Sequence, residues 1–192
     1  MPSSSTTSPA GPPAPGRHVA VRDVALRDGL QLTEGRLSTT SKVVLIRTLL
    51  GLGVPELEVG SMARPDLVPA LADTPEVIGA LDADAGARRF QYCLSVTDEH
   101  NVANIGRDTE TSMAALPEAL QAAAAVGGTV QLCLATAFTC PLTGPVDPER
   151  VVELVADARG RGTVDVVLAD TLGQAHPRQV ADLVADVRQA AG

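Results

Sequence analysis

The stretch TVDVVLADTLG, residues 163–173, decides the fold class of this chain. Its near-continuous apolar run, with Val164, Val166, Val167 and Leu168, predicts a strand. Asp170 and a glycine follow the strand, and Pro177 then opens a segment with apolar residues at helical spacing. A buried strand, a polar strand end and a helix form the repeating unit of an α/β protein.

The same unit recurs towards the amino terminus. We predict strands at 18–26, 56–60, 90–96, 129–136 and 163–169, and helices at 38–53, from 74, at 108–126, from 147 and from 177. Thr74 should cap the second helix, with Pro75 at its first helical position. Pro117 should kink or split the third helix. The alternation indicates a parallel sheet with crossover helices, either doubly wound or part of a (β/α)8 barrel.

Composition narrows the class of protein. The 192 residues are 45% apolar and 20% charged, so we assign 18–192 to a single domain behind a disordered Ser/Pro/Ala-rich tail at 1–17. A net charge of −8 and an aromatic content of 2% argue against nucleic-acid binding. No apolar run reaches the length of a membrane span. Three cysteines without a paired spacing favour a reducing compartment, the cytoplasm.

Acidic residues stand at or just after four of the five predicted strand ends. In a parallel sheet these ends meet at one rim, so we expect a cluster of Asp28, Glu58, Asp98 or Glu99, and Asp170. Clustered carboxylates repel one another unless a cation offsets them. Arg27 and a divalent ion would serve, and His100 or His176 could add a nitrogen ligand. The alternative is that each acidic residue only caps a helix or makes a turn.

Four segments resemble the hydroxymethylglutaryl-CoA lyase family, among the metal-dependent TIM-barrel lyases of the pyruvate carboxyltransferase-like superfamily. They are RDGLQ (27–31), LEVGSM (57–62), CPLTG (140–144) and ADTLG (169–173). The resemblance implies an α/β fold, a partial (β/α)8 TIM barrel with about five parallel strands and outer helices. It also implies cleavage of a 3-hydroxy-3-methylglutaryl-CoA-like acyl-CoA to acetyl-CoA and acetoacetate.

The resemblance also implies a role for each residue of these motifs. Asp28 would be a metal ligand, for Mg²⁺ or Mn²⁺. Arg27 would stabilise the enolate oxygen that forms as the carbon–carbon bond breaks. Glu58 and Asp170 would be catalytic polar groups near the substrate. Three further residues would contact the acyl-CoA: Gln31, Ser61 and Thr171.

Other parts of the family pattern are missing from this sequence. The His-x-His metal ligands and a loop cysteine would follow Gly192, and one βα unit is missing between Phe90 and His100. Such barrels have about 250 residues. We therefore expect a truncated barrel with a Val- and Leu-rich inner face. It should self-associate or be completed by another chain. With one ligand, metal binding should be weak and lyase activity of the chain alone negligible.

Two other functions stay open at this point. One is a condensing acyltransferase of the same superfamily, although that branch usually carries an acidic residue where this chain has Leu30. The other is a non-catalytic truncated relative that acts as an interaction module. Cys140 matches a turn and not the catalytic loop, so we expect an inert thiol. If the rim carboxylates repel one another, Asp28→Ala should slightly raise stability without metal.

Overall fold

The structure is a computed structural model that describes the following segments: residues 21–32, 35–62, 64–81, 87–163 and 165–191. The predicted tail at 1–17 and the start of the first predicted strand, 18–20, lie outside these segments. None of the described helices is long and apolar enough to cross a membrane.

Strands and helices alternate along the described residues. The strands are β1 (Arg22–Asp23), β2 (Glu56–Leu57), β3 (Arg89–Ser95), β4 (Thr129–Ala135), β5 (Thr139–Cys140), β6 (Gly144–Pro145) and β7 (Asp165–Leu168). The α-helices are α1 (Thr39–Gly51), α2 (Thr74–Ala80), α3 (Asp98–Ile105), α4 (Thr109–Ala125), α5 (Pro148–Gly160) and α6 (Pro177–Ala191). The chain also has a π-helical turn, Ala25–Gly29, and a 3-10 turn, Pro69–Leu71.

Five of these strands are parallel and lie in two sheets. β1 pairs with β2, and β3, β4 and β7 form a three-stranded sheet in that order. β5 and β6 form a short antiparallel hairpin around the predicted Cys-Pro turn. The predicted part of a (β/α)8 barrel, with outer helices, is therefore confirmed, and across the described residues the strands do not close into a barrel.

The larger core lies between the three-stranded sheet and helices α4, α5 and α6. Alternate residues of β3 and β4 point into it, among them Leu94, Leu132 and Leu134, each at most 1% exposed. The opposite face of these strands carries Gln91, Cys93, Ser95, Gln131, Cys133 and Ala135. The expectation of a Val- and Leu-rich inner face is therefore wrong for these strands, because their large apolar residues fill the helix-facing side.

A smaller core holds the amino-terminal part of the chain together. Leu26 of the π-helical turn, Ile46 of α1 and Val77 of α2 are each at most 2% exposed and belong to one cluster. The first predicted strand, 18–26, is shorter than expected, since the chain leaves the extended conformation after Asp23. The π-helical turn that follows places Leu26 in the core, and this burial outweighs the strand-like sequence pattern.

Lys42 of α1 is the buried cation of this region. Its ammonium group pairs with the Asp73 carboxylate and donates to the Ala70 carbonyl oxygen at 2.6 Å. Burial raises the pKa of Asp73, but hydrogen bonds from Lys42 and from the Thr39 hydroxyl together lower it by a larger amount. The net shift of the pKa is therefore downward. Asp73 is also the residue that caps α2, so the prediction of Thr74 as the cap is wrong. Its side chain does not close the helix end because Lys42 and Thr39 engage it.

Two helices differ from the sequence prediction. Helix α3, Asp98–Ile105, was not predicted; it starts directly after β3 and ends at Gly106, whose φ is 79°. Two acidic residues in its first turn stabilise the helix, because they lie at the positive end of the helix dipole. Helix α4 runs unbroken through Pro117. Its buried residues, Leu116 among them, hold it against the sheet and offset the hydrogen bond that a proline removes.

Candidate functional site

Three arginines and three carboxylates alternate in a chain of ion pairs beside β1, β2 and β3. In order, they are Arg89, Glu56, Arg22, Glu58, Arg27 and Asp28. Arg22 and Glu56 meet because they are opposite one another in the β1–β2 register. Each interior charge in the chain has a neighbour of opposite sign on both sides, which offsets repulsion between the carboxylates. We call this set the strand-end network, because each member either begins a strand (Arg22, Glu56 and Arg89) or follows one (Arg27, Asp28 and Glu58).

Distances show how closely the strand-end network is joined. Glu56 Oε1 lies 2.6 Å from Arg89 Nη1 and 2.9 Å from Arg22 Nη2. The hydrogen bond with Arg22 lowers the pKa of Glu56 and raises the pKa of Arg22 itself. Glu58 lies between two guanidinium groups, 3.3 Å from Arg22 Nη1 and 3.9 Å from Arg27 Nε. Glu58 and Arg27, predicted to act together, are thus adjacent in the structure.

A cavity of about 660 Å³ opens between β2 and β3. Charged and polar residues on its wall include Arg22, Arg27, Glu56, Glu58, Ser61 and Arg89. Cys93 and Gln131 reach it from the inner face of the three-stranded sheet. The volume falls within the roughly 300–1,000 Å³ of small-molecule sites, and such sites carry a few polar groups that orient the ligand. The cavity is therefore the candidate substrate site.

The predicted metal ligand Asp28 lies in the π-helical turn and is paired with Arg27. Turns of this kind are frequent at functional sites. Asp28 has a side chain that is 47% exposed, and Gln31 is exposed beyond it. Within the described residues, no three His, Cys, Asp or Glu side chains form a group that could hold a metal ion. These residues alone do not fit a divalent metal site, and Asp28 stays a predicted ligand.

Ser61 is fixed at the cavity wall through its backbone. Its N–H donates to Thr74 Oγ1 at 3.1 Å, and the Thr74 hydroxyl donates to the Leu71 carbonyl oxygen at 2.7 Å. A Cβ atom at Gly60 would lie 2.5 Å from the same Thr74 oxygen. The glycine of this motif is therefore required by its close approach to α2, and that approach sets the position of Ser61.

Asp170 and Thr171 follow β7 and organise the chain around them. The two carboxylate oxygens of Asp170 accept hydrogen bonds from the backbone N–H groups of Gln174, at 3.1 Å, and Ala175, at 2.8 Å. Thr171 Oγ1 accepts from the Thr136 N–H at 2.8 Å. Asp170 thus makes the turn before α6, which is the alternative role considered for it. The metal-holding carboxylate cluster expected at the rim does not form among the described residues.

The two histidines considered as extra ligands have other partners. His100 Nδ1 lies 2.7 Å from the Ser95 hydroxyl oxygen, and the adjacent Asn101 side chain accepts from the Ser95 N–H at 2.8 Å. His176 Nδ1 accepts from the Gln179 N–H at 3.3 Å at the start of α6. His100 therefore links the end of β3 to α3, His176 accepts from a backbone N–H at the start of α6, and neither joins a described group able to hold a metal ion.

Thr136, directly after β4, is a site feature that sequence reasoning missed. It is fully buried and has a φ of 57°, a left-handed conformation that is uncommon outside glycine. Its N–H donates to Thr171, so the ends of β4 and β7 are joined by a backbone strained at this residue. No residue pattern marks such a position, since the strain appears only when the two strand ends meet.

A family model described as HMGL-like matches residues 18–191. The chain belongs to the HMGL-like family. The resemblance carried by the four motifs is thereby confirmed. Members of the HMGL-like family generally depend on a divalent metal.

Two curated relatives indicate the chemistry of the HMGL-like family. The (R)-citramalyl-CoA lyase of Chloroflexus aurantiacus is 32% identical over 195 residues, which cover 86% of this chain. The hydroxymethylglutaryl-CoA lyase YngG of Bacillus subtilis is 28% identical over 184 residues, which cover 85% of this chain. The HMGL-like chain spans 62% of the length of each of these relatives.

Solved structures of the HMGL-like family share the fold. The HMG-CoA lyase of Bacillus subtilis superposes with a TM-score of 0.78 at 26% identity, covering 91% of this chain and 65% of that one. The HMG-CoA lyase of Acinetobacter baumannii, in complex with coenzyme A and 3-methylmalate, has a TM-score of 0.76 at 28% identity, with coverages of 88% and 61%. The strands and helices described above therefore follow the architecture of HMG-CoA lyases.

Proposed function

We propose that the HMGL-like chain functions in carbon–carbon cleavage of an acyl-CoA similar to 3-hydroxy-3-methylglutaryl-CoA, which gives acetyl-CoA and acetoacetate. One observation carries the proposal. Two of the family motifs meet at the wall of a single cavity of ligand size, where Arg27 lies 3.9 Å from Glu58. The family match and the acyl-CoA lyases among the relatives support the same reaction class.

The chemistry needs a cation near the developing enolate oxygen and a base for the hydroxyl proton. Arg27 would supply the cation, because its guanidinium group lines the cavity. Glu58 would hold that guanidinium group in position. Asp170 would be the second catalytic carboxylate, and its two backbone hydrogen bonds fix its orientation. Substrate contacts are proposed for three residues: Gln31, Ser61 and Thr171.

The proposal includes Mg²⁺ or Mn²⁺ with Asp28 as a ligand, on the strength of the general metal dependence of the family. Magnesium-like ions keep most of their water when only one or two carboxylates bind them. From this ligand count we expect a dissociation constant above roughly 100 μM for the chain alone. We also expect negligible turnover, because reaction rates fall steeply when the reacting groups are misplaced by about 1 Å.

A second candidate substrate is an acyl-CoA of the citramalyl-CoA type. It is favoured by the 32% identity to the (R)-citramalyl-CoA lyase. The two candidates differ in the acyl group and share the coenzyme A thioester, so they would occupy one cavity. Comparing the affinities of the two thioesters with that of coenzyme A alone distinguishes them.

Location and assembly are also part of the proposal. The three cysteines are free thiols, which supports a reducing compartment such as the cytoplasm. The two-stranded and three-stranded sheets present open edges among the described residues, and open edges favour pairing with another chain. We therefore propose self-association or a completing chain. Light scattering that found a stable monomer with a sharp unfolding transition would contradict this assembly.

Binding calorimetry with each acyl-CoA tests the proposed site. Arg27→Met should weaken binding by about 10- to 150-fold, which corresponds to the loss of a charged hydrogen bond of about 1.5–3 kcal/mol. The matched control is Arg178→Met, because Arg178 lies on α6 with an 86% exposed side chain. Equal affinity of the wild type and Arg27→Met would reject the site. A parallel assay for acetyl-CoA with Mn²⁺ tests the activity, and rapid turnover would contradict the weak metal binding expected here.

A further inference from the structure

Two cysteines are direct neighbours on the inner face of the three-stranded sheet. Cys93 of β3 and Cys133 of β4 are opposite one another in the parallel register. Paired strands lie about 4.7–4.9 Å apart, within the Cα separation of about 4.4–6.8 Å that a disulfide needs. The Cys93 thiol donates a hydrogen bond to Gln91 Oε1 at 3.4 Å, and it is close enough to the Cys133 thiol for each to shift the pKa of the other. Their sulfur atoms are therefore placed for reaction without a change in strand pairing.

The two thiols differ in access and acidity. Cys93 is exposed and lines the cavity near Arg27 and Glu58, whereas Cys133 is 8% exposed. The neighbouring Cys133 thiol lowers the pKa of Cys93 more than burial raises it, and the charge of Arg27 adds to the lowering. The neighbouring Cys93 thiol and burial raise the pKa of Cys133. Cys93 is thus the thiol that solutes reach and that ionises first.

We propose that Cys93 and Cys133 form a redox-active dithiol at the cavity wall, which a small-molecule disulfide converts to an intramolecular disulfide. The expected order follows from the difference between the thiols. The thiolate is the nucleophile in such exchange, so Cys93 reacts first and Cys133 resolves the product. The proposal rests on the placement of the two thiols and does not depend on the proposed lyase function.

The reaction proceeds in two exchanges. The Cys93 thiolate attacks one sulfur of oxidised glutathione, the disulfide bond of the glutathione breaks, and one glutathione thiolate leaves. Cys133 then loses its proton and attacks the Cys93 sulfur, which expels the second glutathione thiolate. The chain loses two hydrogen atoms and is oxidised by two electrons, while one glutathione disulfide is reduced to two thiols.

The third cysteine does not compete for this reaction. Cys140 is 1% exposed in the β5–β6 hairpin and accepts hydrogen bonds from the Thr97 hydroxyl at 3.1 Å and from the Leu142 N–H at 3.4 Å. Burial raises the pKa of Cys140, but these hydrogen bonds and others from Thr143 together lower it by a larger amount. The net shift of the pKa is therefore downward. Limited access therefore keeps Cys140 from small oxidants.

Mass spectrometry of the native chain with oxidised glutathione tests the proposal. The intact mass should fall by two hydrogen atoms. Trypsin cleaves after Arg89, Arg107 and Arg150, so Cys93 lies on peptide 90–107 and Cys133 on peptide 108–150. These peptides should be joined unless a reductant is added. Because peptide 108–150 also carries Cys140, the Cys140→Ser variant should give the same joined pair.

Single variants separate the two exchanges. Cys133→Ser should stop at one glutathione bound to Cys93, and Cys93→Ser should react much more slowly than the wild type. Phenylarsine oxide, which bridges two close thiols, should consume both on the unmodified chain, so the result does not depend on a variant that folds poorly. The proposal fails if the wild type keeps a glutathione adduct, joins Cys93 to Cys140, or stays fully reduced while the urea-unfolded chain reacts.

Discussion

The described residues within 21–81 and those within 87–191 are built from the same strand–helix unit but bury different amounts of apolar surface. In the first region β1 and β2 have two residues each, and the buried cluster has seven members. In the second, β3 and β4 have seven residues each, and the cluster has fifteen members. The longer register aligns more apolar side chains under the helices. The second region is therefore held by packing, while ion pairs carry more of the first.

This difference also decides where function can lie. The strand-end network and the cavity lie where the first region meets β3. Regions with few buried apolar contacts open locally at lower cost than the rest of a protein, and ligand sites are commonly built from them. The well-packed second region then serves as the fixed wall of the cavity.

The largest effect should come from the core of the second region. Leu134→Ala removes a side chain with 0% exposure near the carboxyl end of β4. We expect the free energy of unfolding to fall by about 2–5 kcal/mol, from lost burial and a residual cavity. Urea denaturation followed by circular dichroism measures this. The matched control is Leu52→Ala, 76% exposed, which should change stability by less than about 0.5 kcal/mol.

The next effect concerns the buried ion pair of the first region. Asp73→Ala removes the carboxylate that pairs with Lys42, which is 2% exposed. The ammonium group keeps its hydrogen bond to the Ala70 carbonyl oxygen but loses the opposite charge. Breaking a fully buried pair costs about 3–5 kcal/mol. The Asp73 side chain is 27% exposed, so we expect a smaller loss of about 1–3 kcal/mol. Hydrogen exchange should rise in α1 and α2 more than in α4; equal changes everywhere would mean that the two regions unfold as one.

The same pair predicts a pH dependence. The pKa of Asp73 is lower in the folded chain than in the unfolded one. The unfolded chain therefore binds a proton at Asp73 more tightly, and protonation favours unfolding. Its stabilising contribution is therefore present above the unfolded pKa of about 3.9 and is lost as pH falls through the folded pKa. The wild type should lose more stability than Asp73→Ala between about pH 5 and pH 2. Parallel acid-unfolding curves for the two proteins would contradict this.

An effect of similar size should come from the close approach of Gly60 to Thr74. Gly60→Ala would place a methyl group 2.5 Å from the Thr74 hydroxyl oxygen, so α2 or the β2 end must move. We expect a loss of about 1–3 kcal/mol, the usual cost of overpacking. Gly79→Ala is the matched control in α2, where no atom lies within 4 Å, and it should stabilise by about 0.5–1 kcal/mol. If the urea midpoint falls for Gly60→Ala and rises for Gly79→Ala, relative to the wild type, Gly60 is needed for its small size.

The sequence predicted the second region better than the first. The strand predicted at 129–136 is β4, Thr129–Ala135, because its apolar residues alternate and its partners lie on both sides. The strand predicted at 18–26 contains only two described strand residues, Arg22–Asp23. Its valines give a strand-like pattern, but the position of Leu26 in the small core depends on α1 and α2. A local pattern does not contain that tertiary contact.

The candidate site was also predictable only in part from the sequence. Arg27 and Glu58 come together because both follow parallel strands that are neighbours, which the motif order already indicated. Asp170 follows a strand as well, but its oxygens bind the nearby N–H groups of the next loop. Short acidic side chains compete for local backbone donors. A strand-end position therefore does not distinguish a substrate contact from a turn residue, and the two roles look alike in sequence.

The smallest effect separates repulsion from pairing at the metal-ligand position. If the rim carboxylates were clustered, Asp28→Ala would raise the stability of the metal-free chain. In the structure Asp28 is paired with Arg27, and its side chain is 47% exposed. Removing an exposed partner of this kind costs about 0.2–1 kcal/mol, and salt weakens the effect. We therefore expect a slight loss of stability in metal-free, low-salt buffer that shrinks in 1 M sodium chloride. A gain in stability would mean that Asp28 repels Glu58 in solution, as an empty metal site would require.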